Sequence, residues 1–261
     1  VFVETDDNAV IKRLEEQVER HGGGSDSNCG ESCVEGGNDG DGIGKRMECY
    51  MVLSDPTSLW LLQTVGLPKA LEAKADVFAT TTEDLLAKSL LVKLPGIPSR
   101  FPSLDRVAIS RDSETTVHLV VVGFSPMAEA LVMNAALVAH YPNYCKDTRL
   151  RTRITIIDDN VHDGRDRLTQ RYVHLFDNSY YRSIDLNDAN PQCLTHRPMY
   201  EGRRKDFVDI EWEFVCGNIR NGAIRQKLTE WAEDSRQQLT LAICHPGFGR
   251  NFSESVALPE A

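Results

Sequence analysis

Residues 117–140 read V-H-L-V-V-V-G-F-S-P-M-A-E-A-L-V-M-N-A-A-L-V-A-H, and residues 151–160 read R-T-R-I-T-I-I-D-D-N. A β-branched apolar run ends on Gly123, and a turn holding Ser125 and Pro126 comes next. An Ala/Leu/Met-rich segment of helical composition then leads, across the polar insert Tyr141–Arg153, to a second apolar run that closes on Asp158 and Asp159. Strand, tight turn, helix and acid-terminated strand form the skeleton of a nucleotide-binding βαβ unit.

Working outward, Phe207–Val215 alternates like a strand and Gly217-Asn218 closes it. Gly222–Glu233 places Ile224, Leu228 and Trp231 at helical spacing. Leu239–Cys244 is an apolar strand, broken only by Thr240, ending at His245, and Asn251–Leu258 starts a further helix. Val161–Pro198 is polar and aromatic without clean periodicity. Toward the N-terminus, Val1–Val3 and Met47–Leu53 are strand-like, and Asp76–Ala79 is a third short strand. Ala9–Arg20, Thr57–Val65 and Thr82–Leu94 carry helical patterns. Apolar strands, each followed by a helix, imply a parallel sheet covered on both faces. The fold expected is α/β, a Rossmann-like doubly wound parallel sheet in which a partial first lobe precedes a second. Prolines and charges before Asp112 place the junction near Arg111, giving lobes over 1–111 and 112–261. The chain reads as a fragment of a longer protein.

Acids outnumber bases 39 to 29 and the net charge is -10, so the overall field repels phosphate backbones and argues against nucleic acid as a partner. Seven cysteines, an odd number scattered along the chain, do not form a disulfide framework. Residues 21–45 are rich in glycine, serine and aspartate and read as a disordered loop. Within it, Asp39–Arg46 lacks the first glycine and the hydroxyl residue of a phosphate loop, and its calcium-loop reading has Ile43 and Tyr50 at ligand positions. Cys29 and Cys33 have no second knuckle, so no metal is expected.

In the first βαβ unit the three glycine positions of a dinucleotide site fall on Gly123, Ser125 and Ala128. Ser125 brings a hydroxyl to the place nearest the phosphates, Pro126 removes one backbone N–H, and Ala128 keeps helix and strand close. Asp158 stands where an acid accepts hydrogen bonds from ribose hydroxyls.

These residues, with V-E-T-D-D-N, M-E-C-Y-M-V-L-S-D-P, D-F-V-D-I-E-W-E-F-V-C-G and L-T-L-A-I-C-H followed by the N-F-S-E-S-V-A-L-P helix, resemble the tandem regulator-of-conductance-of-potassium (RCK, TrkA-N) lobes. The resemblance is to the bacterial branch that accompanies ryanodine-receptor-type repeat domains. It implies binding of NAD(H) or another adenine nucleotide, with Gly123, Ser125 and Met127 by the phosphates, Asp158 by the ribose and His245 lining the cleft. It also implies a homodimer or higher homo-oligomer that regulates a membrane cation transporter or channel subunit, or a membrane segment outside this chain. Such a module acts in the cytoplasm, at or tethered to the inner face of the membrane. An NAD-dependent oxidoreductase needs a placed acid or base, and none is evident: His118 reads as a strand residue and His140 as a helix end. The expectation is a non-catalytic sensor, with an interaction scaffold bearing a vestigial pocket as the alternative.

Overall fold

The computed structural model describes residues 2–3, 12, 16, 46–67, 69–92, 103–187, 193–198, 207–256 and 258. The glycine-rich segment 21–45 and most of the expected helix Ala9–Arg20 lie outside them. The chain divides into two compact units, Val1–Leu85 and Leu86–Ala261.

The first unit holds a parallel three-stranded sheet of β1 (Phe2–Val3), β2 (Met47–Leu53) and β3 (Ala75–Thr81) in that order. Between β2 and β3 run α1 (Pro56–Val65) and the short α2 (Lys69–Glu72). Asp55 caps α1 by accepting from the N–H groups of Thr57 and Ser58, each at 3.1 Å, and Pro56 fills the first helical position, where no N–H is needed. Cys49, Met51 and Ala75 are buried, with Leu62 of α1 packed against them.

The second half of α3 (Thr82–Leu91) belongs to the second unit, where Ala87, Leu90 and Leu91 join the main core with Leu104 and Ile109. Val107 is tied to Gln238 through its N–H and its carbonyl. Residues 103–110 thus pack with the residues that follow them, within the unit Leu86–Ala261.

The remaining elements begin with β4 (Thr116–Val122), α4 (Pro126–Val138), β5 (Thr152–Asp158), α5 (Val161–Arg171) and α6 (Val173–Asp177). Then come β6 (Tyr180–Asp185), β7 (Cys193–His196), β8 (Ile210–Cys216), α7 (Gly222–Glu233), β9 (Gln237–Ile243) and α8 (Phe248–Val256). The sheet order is β7-β6-β8-β5-β4-β9. All pairings are parallel except β6 with β7, so an antiparallel edge strand turns the expected parallel sheet into a mixed one.

Alternate residues of each strand serve opposite faces. Leu119, Val121, Ile154, Ile156, Trp212 and Phe214 meet α4, α5 and α6 on one face, while Val120, Val122, Ile157 and Val215 meet Ile224, Leu228 and Trp231 of α7 on the other. With helices on both faces, the Rossmann-like α/β expectation holds.

The described residues of Val161–Pro198, which showed no clean periodicity, form two helices and the antiparallel pair β6–β7. Only Val161, Gly164 and Leu168 of α5 are buried, and a glycine in the middle of that stripe hides the helical pattern. Gly164 is there for space: a Cβ would come within 2.5 Å of the Phe124 ring. Among the described residues no helix is long and apolar enough to cross a membrane.

Candidate functional site

In an open α/β sheet, ligands bind beyond the carboxyl ends of the strands where neighbouring connections depart in opposite directions. That point lies between β4 and β9 here. The chain leaves β4 through α4 toward β5 on one face, and reaches β9 from β8 through α7 on the other. Gly123 and His245 mark the two strand ends.

Gly123 has φ 90, a region open to glycine, and hands the chain from β4 to Ser125 at the N-cap of α4. The Ser125 hydroxyl accepts from Ala128 N–H at 3.2 Å. Asp158, at the end of β5, accepts from Phe124 N–H and Asn160 N–H, each at 2.9 Å. The turn thus already points one N–H at a carboxylate and another at a hydroxyl. Phe124 lies against α5 with the Arg167 guanidinium 5.2 Å from its ring centroid.

His245 is buried against Gly123, and a Cβ at position 123 would fall 2.5 Å from its Nδ1. Its Nε2 lies 2.5 Å from Oε2 of Glu254 in α8, and its backbone N–H and C=O are bracketed by the Asn251 amide. Glu254 also accepts from Arg250 Nε at 2.9 Å, and Arg250 reaches Asp159 at 3.5 Å. A chain of charges therefore links the end of β9 through α8 to the end of β5.

Of the residues singled out in the sequence, Gly123, Ser125, Asp158 and His245 converge on this strand edge. Met127, in the first turn of α4, is half-buried and packs against the core beneath it. The His245–Glu254 pairing had no sequence signal beyond two polar residues on either side of a Pro-Gly turn.

Along the same edge, His162 of α5, Asp185 of β6 and Cys216 of β8 bring one ligand atom each within 4.8 Å of one another. Burial first, then the charge of Asp185, push the Cys216 thiol up. Among the described cysteines Cys49, Cys145, Cys193, Cys216 and Cys244 are free thiols.

A second polar system runs across the sheet beside α7. Oε1 of Gln237 meets His118 Nδ1 at 2.9 Å, His118 Nε2 meets Thr155 Oγ1 at 2.8 Å, and Thr155 donates to Glu213 Oε2 at 3.0 Å. Arg182 Nε lies 2.9 Å from Glu213 Oε1, an ion contact without hydrogen-bond alignment. The Gln237 amide nitrogen is committed to Asp234, so its oxygen faces His118 and the imidazole proton belongs on Nδ1, which leaves the single Thr155 hydroxyl proton to be shared between His118 Nε2 and Glu213. Imidazole, hydroxyl and carboxylate in a row are parts of a nucleophilic device. Here His118 and Thr155 are 0 % exposed and Glu213 1 %, with the imidazole edge-on to Trp231, so the row ties strands together out of reach of solvent.

Burial, then the positive charge of Arg153, lowers the His118 pKa to about 3. An unfolded histidine protonates near its ordinary 6.5, so between those values the unfolded chain binds the extra proton. This contribution is intact above pH 6.5 and is lost as pH falls toward 3. Unfolding free energy measured by denaturant titration is expected to drop by up to about 1.4 kcal/mol per pH unit in that window from this group. The His118→Asn variant, whatever its absolute stability, should lack that part of the slope; an unchanged slope would assign it elsewhere.

Comparison of the chain with protein-family models, with curated proteins and with solved structures found no match.

Proposed function

We propose that the second unit is a non-catalytic nucleotide-sensing module of the RCK/TrkA-N type, tied to potassium or other cation transport. The observation that supports this reading is the convergence of Gly123, Ser125, Asp158 and His245 on the switch point between β4 and β9. A ligand phosphate entering there competes with the Asp158 carboxylate for Phe124 N–H and displaces the imidazole resting on Gly123. His245 is held by Glu254, so its displacement pulls on α8, whose outer face carries exposed Phe248, Phe252 and Val256. Nucleotide occupancy is thereby converted into a change at a surface that a second copy or a membrane transport subunit reads at the cytoplasmic side. NAD(H) or another adenine nucleotide is the ligand class proposed.

Calorimetry with NADH, ATP and AMP tests the proposal, and no binding at millimolar concentration would overturn it. If Asp158 holds the ribose, Asp158→Ala weakens the ligand by about 1–3 kcal/mol, the scale of a lost buried hydrogen bond. Tightened binding would instead identify Asp158 as a competitor for Phe124 N–H, and unchanged affinity would move the ligand elsewhere.

A second reading, an interaction scaffold with a vestigial pocket, is favoured by the self-satisfied turn. Pro126 has no N–H, and Phe124 and Ala128 N–H groups already have acceptors. That reading predicts no nucleotide binding.

A further inference from the structure

The carboxyl ends of β6 and β8 and the first turn of α5 meet beside the switch point. We propose that His162, Asp185 and Cys216 form a binding site for a divalent, thiolate-accepting metal ion of the zinc class. The inference stands apart from the nucleotide reading, because its three ligands are not the residues that frame Gly123.

The donor set is selective. One thiolate, one imidazole and one carboxylate suit Zn2+ or Co2+, whereas Mg2+ and Ca2+ prefer oxygen ligands throughout. The ligand atoms lie within 4.8 Å of one another, and His162 Nε2 is 3.8 Å from Asp185 Oδ2. A tetrahedral ion with bonds of about 2.0–2.3 Å holds its donors roughly 3.3–3.8 Å apart, so the widest pair has to close by about 1 Å. His162 sits in the first turn of α5, where rotation about its side-chain bonds supplies that shift without moving a strand.

Two of the three ligands, Asp185 and Cys216, are already oriented. Asp185 Oδ1 accepts from Asn187 N–H at 2.9 Å, which leaves Oδ2 turned toward His162. The Asn187 amide lies 3.6 Å from Cys216 Sγ, placed to donate to a thiolate. The thiol now contacts the Asp159 carbonyl at 3.3 Å; on binding, its proton passes to solvent and the sulfur turns to the metal. Cys216 is buried at the base while the side chains of His162 and Asp185 are 39 % and 41 % exposed, so the ion enters from solvent and keeps an open fourth position. Asp158, opposite Cys216 in the strand register, adds a field that favours a cation.

The test is a titration of the reduced, chelator-stripped chain with Co2+, followed by displacement with Zn2+. One equivalent is expected to give a sulfur-to-cobalt charge-transfer band that Zn2+ abolishes. The band should persist when Cys29, Cys33, Cys145 and Cys193 are all serine, and should vanish in Cys216→Ser. His162→Asn, a change at a half-exposed position, provides a readout if loss of the buried thiol harms folding. It should weaken binding by at least the roughly 10–100-fold that accompanies loss of a supporting group around a metal. A band that depends on the other cysteines, survives Cys216→Ser or ignores His162→Asn would overturn the site, as would the absence of a band.

Discussion

Gly123→Ala is expected to destabilise the second unit by about 2–6 kcal/mol, from two separable causes. The backbone there has φ 90, and holding an L-residue in so sparsely populated a region costs about 1–3 kcal/mol. The added Cβ would also fall 2.5 Å from His245 Nδ1, 2.7 Å from its Cγ and 2.8 Å from its backbone nitrogen. Forcing a methyl into packed surroundings costs about another 1–3 kcal/mol. The imidazole cannot swing aside cheaply, since its Nε2 is bonded to Glu254 and its backbone to Asn251. A double-mutant cycle with His245→Ala separates the two causes: the steric part of the Gly123→Ala loss should disappear in the His245→Ala background, and the backbone part should stay. Denaturant unfolding of the four proteins gives the measurement. A loss below about 1 kcal/mol in the single variant would contradict both causes, and equal losses in the two backgrounds would leave φ alone responsible.

Gly123 was legible in the sequence because a strand, a glycine and a helix-starting proline succeed one another within about ten residues of Val117. The runs Thr116–Val122, Pro126–Val138 and Thr152–Asp158 are local patterns of apolar residues, and so is Gly222–Glu233, whose buried Ile224, Leu228 and Trp231 recur at helical spacing. The strand order was less legible. The alternation of β8 predicts one polar face, although Glu213 on that face is buried, and it says neither that β8 slips between β5 and β6 nor that β7 pairs antiparallel at the edge. Cys193–His196 is a strand of largely exposed residues, held by backbone pairing and by His196 stacked on Tyr181, so its composition carries little signal.

Pairings at the strand edge were hidden for a related reason. His162, Asp185 and Cys216 come from a helix start and two strand ends, and their spacing in the chain resembles no compact metal motif. His118 read as an ordinary strand residue because nothing local shows that Thr155 and Glu213 lie beside it. Register supplies that information: Thr155 stands opposite Glu213, and Glu213 opposite Arg182.

Glu213→Ala is expected to cost about 3 kcal/mol, the lower end of the range for removing one partner of a buried ion pair. The carboxylate is buried, accepts from Thr155 and faces Arg182. Without it Arg182 keeps its charge under the sheet face with only Glu211, 3.9 Å away, as an ion partner among the described residues. The loss stays near the lower end because the Arg182 side chain is 31 % exposed and water can reach part of it. Glu213→Gln retains an acceptor for the Thr155 hydroxyl but gives up the charge, so it should fall between wild type and alanine. The pairing itself is a different matter from its disruption. A buried ion pair gains little net free energy over an apolar pair of the same volume, because desolvation opposes the Coulomb attraction. Glu213→Leu combined with Arg182→Met should therefore return most of what Glu213→Ala loses, short of the Thr155 hydroxyl, which then has only His118 Nε2 to serve. Were the double variant as unstable as Glu213→Ala, the carboxylate would be acting through Thr155 and His118 rather than through Arg182, and the buried row would be a single cooperative unit from β9 to β8.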